Sequence, residues 1–198
     1  MNERAEQLEE IRKKVLNLKK SPLYKYRVEN NYVPVIGGGS ENAKIIFIGE
    51  APGQNEAKTG LPFVGRSGKF LDELLDSIEI KRDDVYITSV VKDRPPKNRD
   101  PKPEEISIYA PFLDEQIKII KPMIIVTLGR FAMNYVMNHY GLENELKPIG
   151  ELHGRVFETK MSWGKVKVLT LYHPSISIYN QHSKSILFED FKILKTLI

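Results

Sequence analysis

Four short, largely apolar runs constrain this chain more than anything else in it: residues 44–48, 85–91, 123–128 and 166–171. Continuous apolar character over such lengths predicts strands covered on both faces. Helical patterns fill the intervals. Phe70, Leu71, Leu74, Leu75 and Ile78 mark the inner side of one helix, and Pro103-Glu104-Glu105 opens another that runs to about Ile120, with acids in the favoured first turn. A third helix follows Gly129 to near His139, and a last one covers residues 185–197. Strands alternating with helices predict a parallel sheet with helices on both faces, an α/β fold. At the N-terminus, Ala5, Leu8, Ile11, Val15 and Leu18 form a helical stripe over residues 3–18 that Ser21-Pro22 stops. Residues 22–43 read as irregular, with Gly37–Gly39 as a flexible turn, and residues 141–165 as loops with a short hairpin around 152–157. The expectation is one domain over residues 1–198, with helix 3–18 packed on it.

In an open parallel sheet, ligands gather at the C-terminal ends of the strands, and the polar residues of this chain collect there. After the first strand comes GEAPGQNEAKTGLPFVGRSG, residues 49–68, with five glycines, two prolines, the carboxylates Glu50 and Glu56, and Phe63. Glycines admit positive φ and let a backbone approach a ligand closely. Two carboxylates and a flat ring suit a planar polar ligand. Ser89 to Arg99 follow the second strand and His173 the fourth. Each has a plain alternative: Phe63 as a core aromatic, the acids as helix caps, His173 as a structural histidine. Their shared position at strand ends favours a site. His139, His153 and His182 lack such a context and default to structure or solvent, and Arg66 and Lys69 are as consistent with a solvated face as with phosphate.

The chain has no cysteine, which excludes disulfides, thiolate metal sites and cysteine nucleophiles. The charged start MNERAEQLEEIRKK has no apolar h-region, so no secretory signal is expected, the apolar runs are too short to cross a bilayer, and a cytoplasmic protein is expected. The net charge is only +4, but it is unevenly placed. Residues 12–27 hold seven basic side chains and no acid, and Lys92, Arg94, Lys97, Arg99 and Lys102 crowd a proline-rich loop. Basic clusters suit a polyanion such as nucleic acid. The first reads as a solvated helix face, the second as a phosphate contact.

Together, GEAPG (49–53), Glu56, TGLPFVG (59–65), the VVKxRPPxNRxP pattern (90–101), Leu128-Gly129, the HGR turn (153–155) and HPS (173–175) occur in an order and spacing that resembles the uracil-DNA glycosylase superfamily, most of all its thermostable, iron–sulfur family-4 type. The resemblance covers roughly residues 18–195. It implies a three-layer α/β/α sandwich with a central four-stranded parallel sheet, and hydrolysis of the N-glycosidic bond of a base flipped out of DNA. It assigns Phe63 as the ring stacked on the base, with Gly49 and Ser89 beside it. His173 becomes the donor to the uracil O2 as charge develops there. Glu50 and Glu56 hold the first loop and the attacking water. Lys92, Arg94, Lys97, Arg99, Ser175 and Ile176 are assigned to DNA, and Ile176, Ile178 and Tyr179 are candidates to wedge the gap left by the flipped base.

The chain departs from that pattern in two places. The four cluster ligands fall at Leu18, Ser21, Asp93 and Tyr109, so no cluster, metal or other cofactor is expected; an apolar plug of Leu18 and Tyr109, with Ser21 and Asp93 hydrogen-bonded nearby, is expected instead. The base-reading asparagine falls at Ser89, a loss that costs roughly 1–3 kcal/mol of discrimination by analogy with base reading in grooves. A smaller change is Ala57, where an aspartate is common. Two readings follow: a monofunctional glycosylase acting on uracil or another deaminated base, or a DNA-binding module derived from one. Either expects a monomer on single-stranded or damaged duplex DNA, away from membranes. A nucleotide-binding protein fits poorly, since Gly37–Gly39 precedes its strand and no GxxxxGK[ST] loop exists.

Overall fold

A computed structural model describes residues 3–178 and 181–198 of the chain. Its strands are β1 (Gly38–Gly39), β2 (Ile45–Gly49), β3 (Tyr86–Ser89), β4 (Ile124–Leu128), β5 (Arg155–Met161) and β6 (Gly164–Leu171). Its helices are α1 (Glu3–Leu16), α2 (Tyr24–Glu29), α3 (Gln54–Thr59), α4 (Arg66–Ser77), α5 (Pro103–Ile120), α6 (Arg130–His139), α7 (Ile149–Leu152) and α8 (Gln181–Leu197). The sheet order is β1-β3-β2-β4-β6-β5. The four central strands are parallel, with Ile46 opposite Tyr86 and Ile125, and Ile125 opposite Val168.

Alternating side chains of these strands feed two cores. Ile46, Ile48, Ile125 and Val168 pack with Leu113, Ile117, Met133 and Val136 from α5 and α6. Phe47, Val126, Leu169 and Leu171 pack on the other face with Leu71, Leu74 and Leu75 of α4 and Leu187 and Phe191 of α8. Residues buried on both faces explain why the strands read as continuous apolar runs. A third cluster holds the N-terminal segment: Ile11, Val15, Leu18 and Leu23 lie against Val91 and Tyr109. No helix among the described residues is long and apolar enough to cross a membrane.

The expected sandwich and its four parallel strands are present, and the sheet is wider by two antiparallel edges. Gly38–Gly39 is no flexible turn but the short strand β1, paired with Ile87 and Tyr86. The hairpin lies further along the chain than its expected place around 152–157. It pairs Arg155 with Thr170 through to Met161 with Gly164, and Ser162-Trp163 forms the two-residue turn. β5 escapes notice in the sequence because its residues are exposed or half-buried throughout. The short helices α2 and α3 were hidden for a related reason: six residues each are too few to show a period.

Candidate active site

The loop after β2 is clamped by one of its own acids. Glu56, on α3, accepts hydrogen bonds through Oε1 from the backbone N–H groups of Val64 (2.9 Å) and Gly65 (2.8 Å). Arg82 braces the same loop, donating to the Pro62 carbonyl (2.6 Å) and to Asp72. The clamp holds Phe63 in a left-handed conformation, φ 49°, rare for an aromatic residue. Two glycines make room. A Cβ at Gly68 would lie 1.8 Å from the Phe63 carbonyl oxygen, and one at Gly49 would lie 2.9 Å from the Phe63 ring. Phe63 therefore rests against the C-terminal end of β2. Glu56 holds the loop by direct bonds to loop amides.

His173 follows β6 and faces Phe63, their ring centroids 5.7 Å apart at 33°. Its protonation can be read from its neighbours. The Ser175 backbone N–H donates to Nδ1 (3.1 Å), and the Ser175 hydroxyl lies 2.8 Å from the same atom. A nitrogen that accepts from an N–H carries no proton of its own, so the neutral ring bears its proton on Nε2. Burial pulls the His173 pKa down to about 4, against a small upward pull from Glu56. The imidazole is thus a neutral donor at ordinary pH. Ser175, expected on DNA, also holds the histidine in place.

Between these groups lies a cavity of about 90 Å³ lined by Glu56, Pro62, Phe63, Ser67, Ser89 and His173, among others. Ser89 ends β3, level with Gly49 of β2. Directly beneath is Lys92, which is wholly buried, so the expected phosphate contact of this residue is corrected. Its Nζ lies 2.6 Å from the Ser89 carbonyl, 2.8 Å from Thr88 Oγ1 and 2.5 Å from Gln116 Oε1. Burial drives its pKa well below the usual lysine range. Gln116 in turn donates to the Ile36 carbonyl and to the Tyr86 hydroxyl. The sequence held one signal for this support: a glutamine among Leu113, Ile117 and Ile120 on the apolar stripe of α5.

Glu50 follows β2 at the same edge, and its backbone carbonyl accepts the Val91 N–H. Burial, aided by Asp100 and opposed by Arg130, pushes its pKa up to about 7. Asp100 and Arg130 form an ion pair. In the proline-rich loop, Lys97 is exposed and sits with Asn98 in left-handed backbone. Arg94 donates to Asn98 and the Tyr32 hydroxyl, and Arg99 makes a two-pronged pair with Glu105. These arginines brace the loop while Lys97 projects from it. Ile176, expected as a wedge, packs partly buried against the cluster that holds α4 and α8 residues. Tyr179 and the side chain of Ile178 lie outside the described residues. His153 pairs with Asp190 (2.9 Å) and stacks on Tyr172, and His139 stacks on Tyr135; both are structural.

The four positions where the resemblance implies an iron–sulfur cluster do come together, and they do not fit one. Tyr109 donates to Asp93 Oδ2 (2.5 Å) and lies 2.7 Å from Ser21 Oγ. Asp93 also receives Arg27 Nη1 at 3.0 Å, and the Arg27 guanidinium further donates to the Val15 and Leu16 carbonyls. No thiolate is present, and the space is filled by groups that satisfy one another. Leu18 is the apolar part of the expected plug, but the centre is polar. Arg27 was missed: the sequence places it in a basic cluster that reads as solvated, whereas it is 5% exposed.

The pattern of a family described as the uracil DNA glycosylase superfamily matches residues 36–192. A type-4 uracil-DNA glycosylase of Archaeoglobus fulgidus is 44% identical over 188 residues, 94% of this chain and 91% of that protein. One from Thermotoga maritima is 38% identical over 201 residues, 100% of this chain and 98% of that protein. A type-5 uracil-DNA glycosylase of Thermus thermophilus is 33% identical over 157 residues, covering 72% and 69% of the two chains.

Proposed function

The chain belongs to the uracil DNA glycosylase superfamily, and from that premise we propose that it acts in base-excision repair, removing uracil or another deaminated base from DNA. The observation that carries this reading is the tautomer of His173. A neutral imidazole with its proton on Nε2, held by Ser175 and kept neutral by burial, is suited to donate to a base carbonyl on which negative charge grows. A fixed donor in a water-poor site stabilises that charge without reorganising, an effect of about 2.7–4 kcal/mol for one donor.

In this reading the target nucleotide leaves the stack and its base enters the cavity over Phe63. Glu56 acts through the loop it clamps, so it is a positioning residue. Glu50, ionised, orients the attacking water and faces the positive character of the sugar. Lys97 meets the DNA backbone, with Arg94 and Arg99 shaping its loop, and residues 1–198 work as one unit.

The test is strand scission. Oligonucleotides carrying uracil, hypoxanthine or xanthine, single- and double-stranded, are incubated with the protein and then treated with alkali. Scission that disappears in His173→Ala supports the reading. Binding without scission replaces it with the DNA-binding module.

A further inference from the structure

One wall of the cavity is a hydroxyl whose only proton is already engaged. Ser89 Oγ lies 2.8 Å from the Val91 carbonyl oxygen. A carbonyl only accepts, so the serine donates there, and its two lone pairs are what it can offer to anything in the cavity. The backbone cannot easily shift to change this. Ser89 is in register with Gly49, the Val90 N–H is bonded to the Gly49 carbonyl, and the Ser89 carbonyl is held by Lys92 from below. Ser89 is 5% exposed, so a polar group beside it has little bulk water to fall back on.

Resting on the assignment of this cavity as a base pocket, we propose that Ser89 is a specificity-determining residue that reads a base through one ring N–H and ignores the exocyclic group beside it. Uracil and hypoxanthine carry a ring N–H on the pairing edge, where their parents cytosine and adenine carry a lone pair. A fixed acceptor attracts the first class and repels the second. It gives nothing to the neighbouring carbonyl oxygen, because its proton lies on Val91. An amide side chain could address both atoms, whereas this hydroxyl addresses one. The pocket therefore separates uracil and hypoxanthine from cytosine and adenine, but does not read which exocyclic group adjoins the N–H.

The experiment measures binding, so it does not depend on turnover. Single-stranded oligonucleotides carry one 2′-fluorinated nucleoside, resistant to cleavage because fluorine disfavours a positive sugar. The base is uracil, 4-thiouracil, 3-methyluracil or cytosine. For the native protein, uracil and 4-thiouracil bind within about threefold of each other, while 3-methyluracil and cytosine bind about tenfold or more weaker, the scale of one lost hydrogen-bonding contact. Ser89→Ala narrows the gap between uracil and cytosine. Ser89→Asn opens a gap between uracil and 4-thiouracil. A native protein that penalises 4-thiouracil as heavily as cytosine overturns the proposal, as does Ser89→Ala with undiminished discrimination. Equal binding of all four probes overturns it too. That last result leaves the glycosylase reading to the strand-scission assay, so the two can fail separately.

Discussion

Lys92 and Asp93 are neighbours in sequence and enter two buried polar networks of different construction. Lys92 turns under the cavity and meets three neutral oxygens, from Thr88, Ser89 and Gln116. Asp93 turns towards the N-terminal segment and meets an opposite charge, Arg27, together with the Tyr109 hydroxyl. The first network holds the end of a strand; the second ties α1 and α2 to the body. Both are nearly water-free, so both are costly to leave half-made. The contrast shows that burial alone does not mark a functional group. What matters is whether the atoms being held face the cavity, as Ser89 does, or another part of the scaffold.

The sharpest way to break this contrast is Arg27→Met. It strands the Asp93 carboxylate, and removal of one member of a buried pair costs about 3–5 kcal/mol. Chemical denaturation should show that loss with base discrimination intact, and Arg27→Met combined with Asp93→Leu should recover most of it. A marginal loss in the single variant would mean that the N-terminal tie is apolar after all. Next in size, His173→Ala should lower the excision rate by about 10²–10³ while the melting temperature stays near that of the native protein, which sets the scale for a group that faces ligand. Lys92→Met should cost about 1–3 kcal/mol of stability by leaving acceptors unpaired. Unlike Arg27→Met, it should also raise KM for uracil-containing DNA, because the Ser89 peptide is freed. Equal KM values for the two variants would erase the distinction between the networks.

The smallest effect is a pH dependence. Glu50 is pushed up to about 7, so it is protonated below that pH and ionised above it. If the ionised form orients water, the rate climbs with pH, by up to about tenfold per unit below 7. His173, pulled down to about 4, stays neutral over the same range and adds no second limb. A Glu50→Gln variant should be slower and flat across this window; a surviving limb near 7 would assign it to another group.

Much of the fold was legible because the four parallel strands are buried on both faces and leave an unbroken apolar trace. The edges were not: β5 carries Arg155, Glu158 and Lys160 on a half-solvated strand, and β1 is two glycines. The site was legible in its loop and histidine, since glycines, acids and an aromatic after a strand have few structural reasons to occur together. Its support was not. Lys92 and Arg27 were read from their charge as facing outward, and only the packing reveals that each is surrounded by oxygens. Long basic side chains are buried when enough acceptors converge on them, and convergence is a property of three dimensions.

The tie at Arg27, Asp93, Tyr109 and Ser21 is composed wholly of the chain's own atoms, side chains and the Val15 and Leu16 carbonyls, supplied by translation. It has no thiol for oxygen to attack and calls for no iron delivery before the N-terminal segment can settle. Protein made in iron-depleted medium and purified in air should carry the same tie as protein made under any other conditions, and a chelator should leave its melting curve where it was.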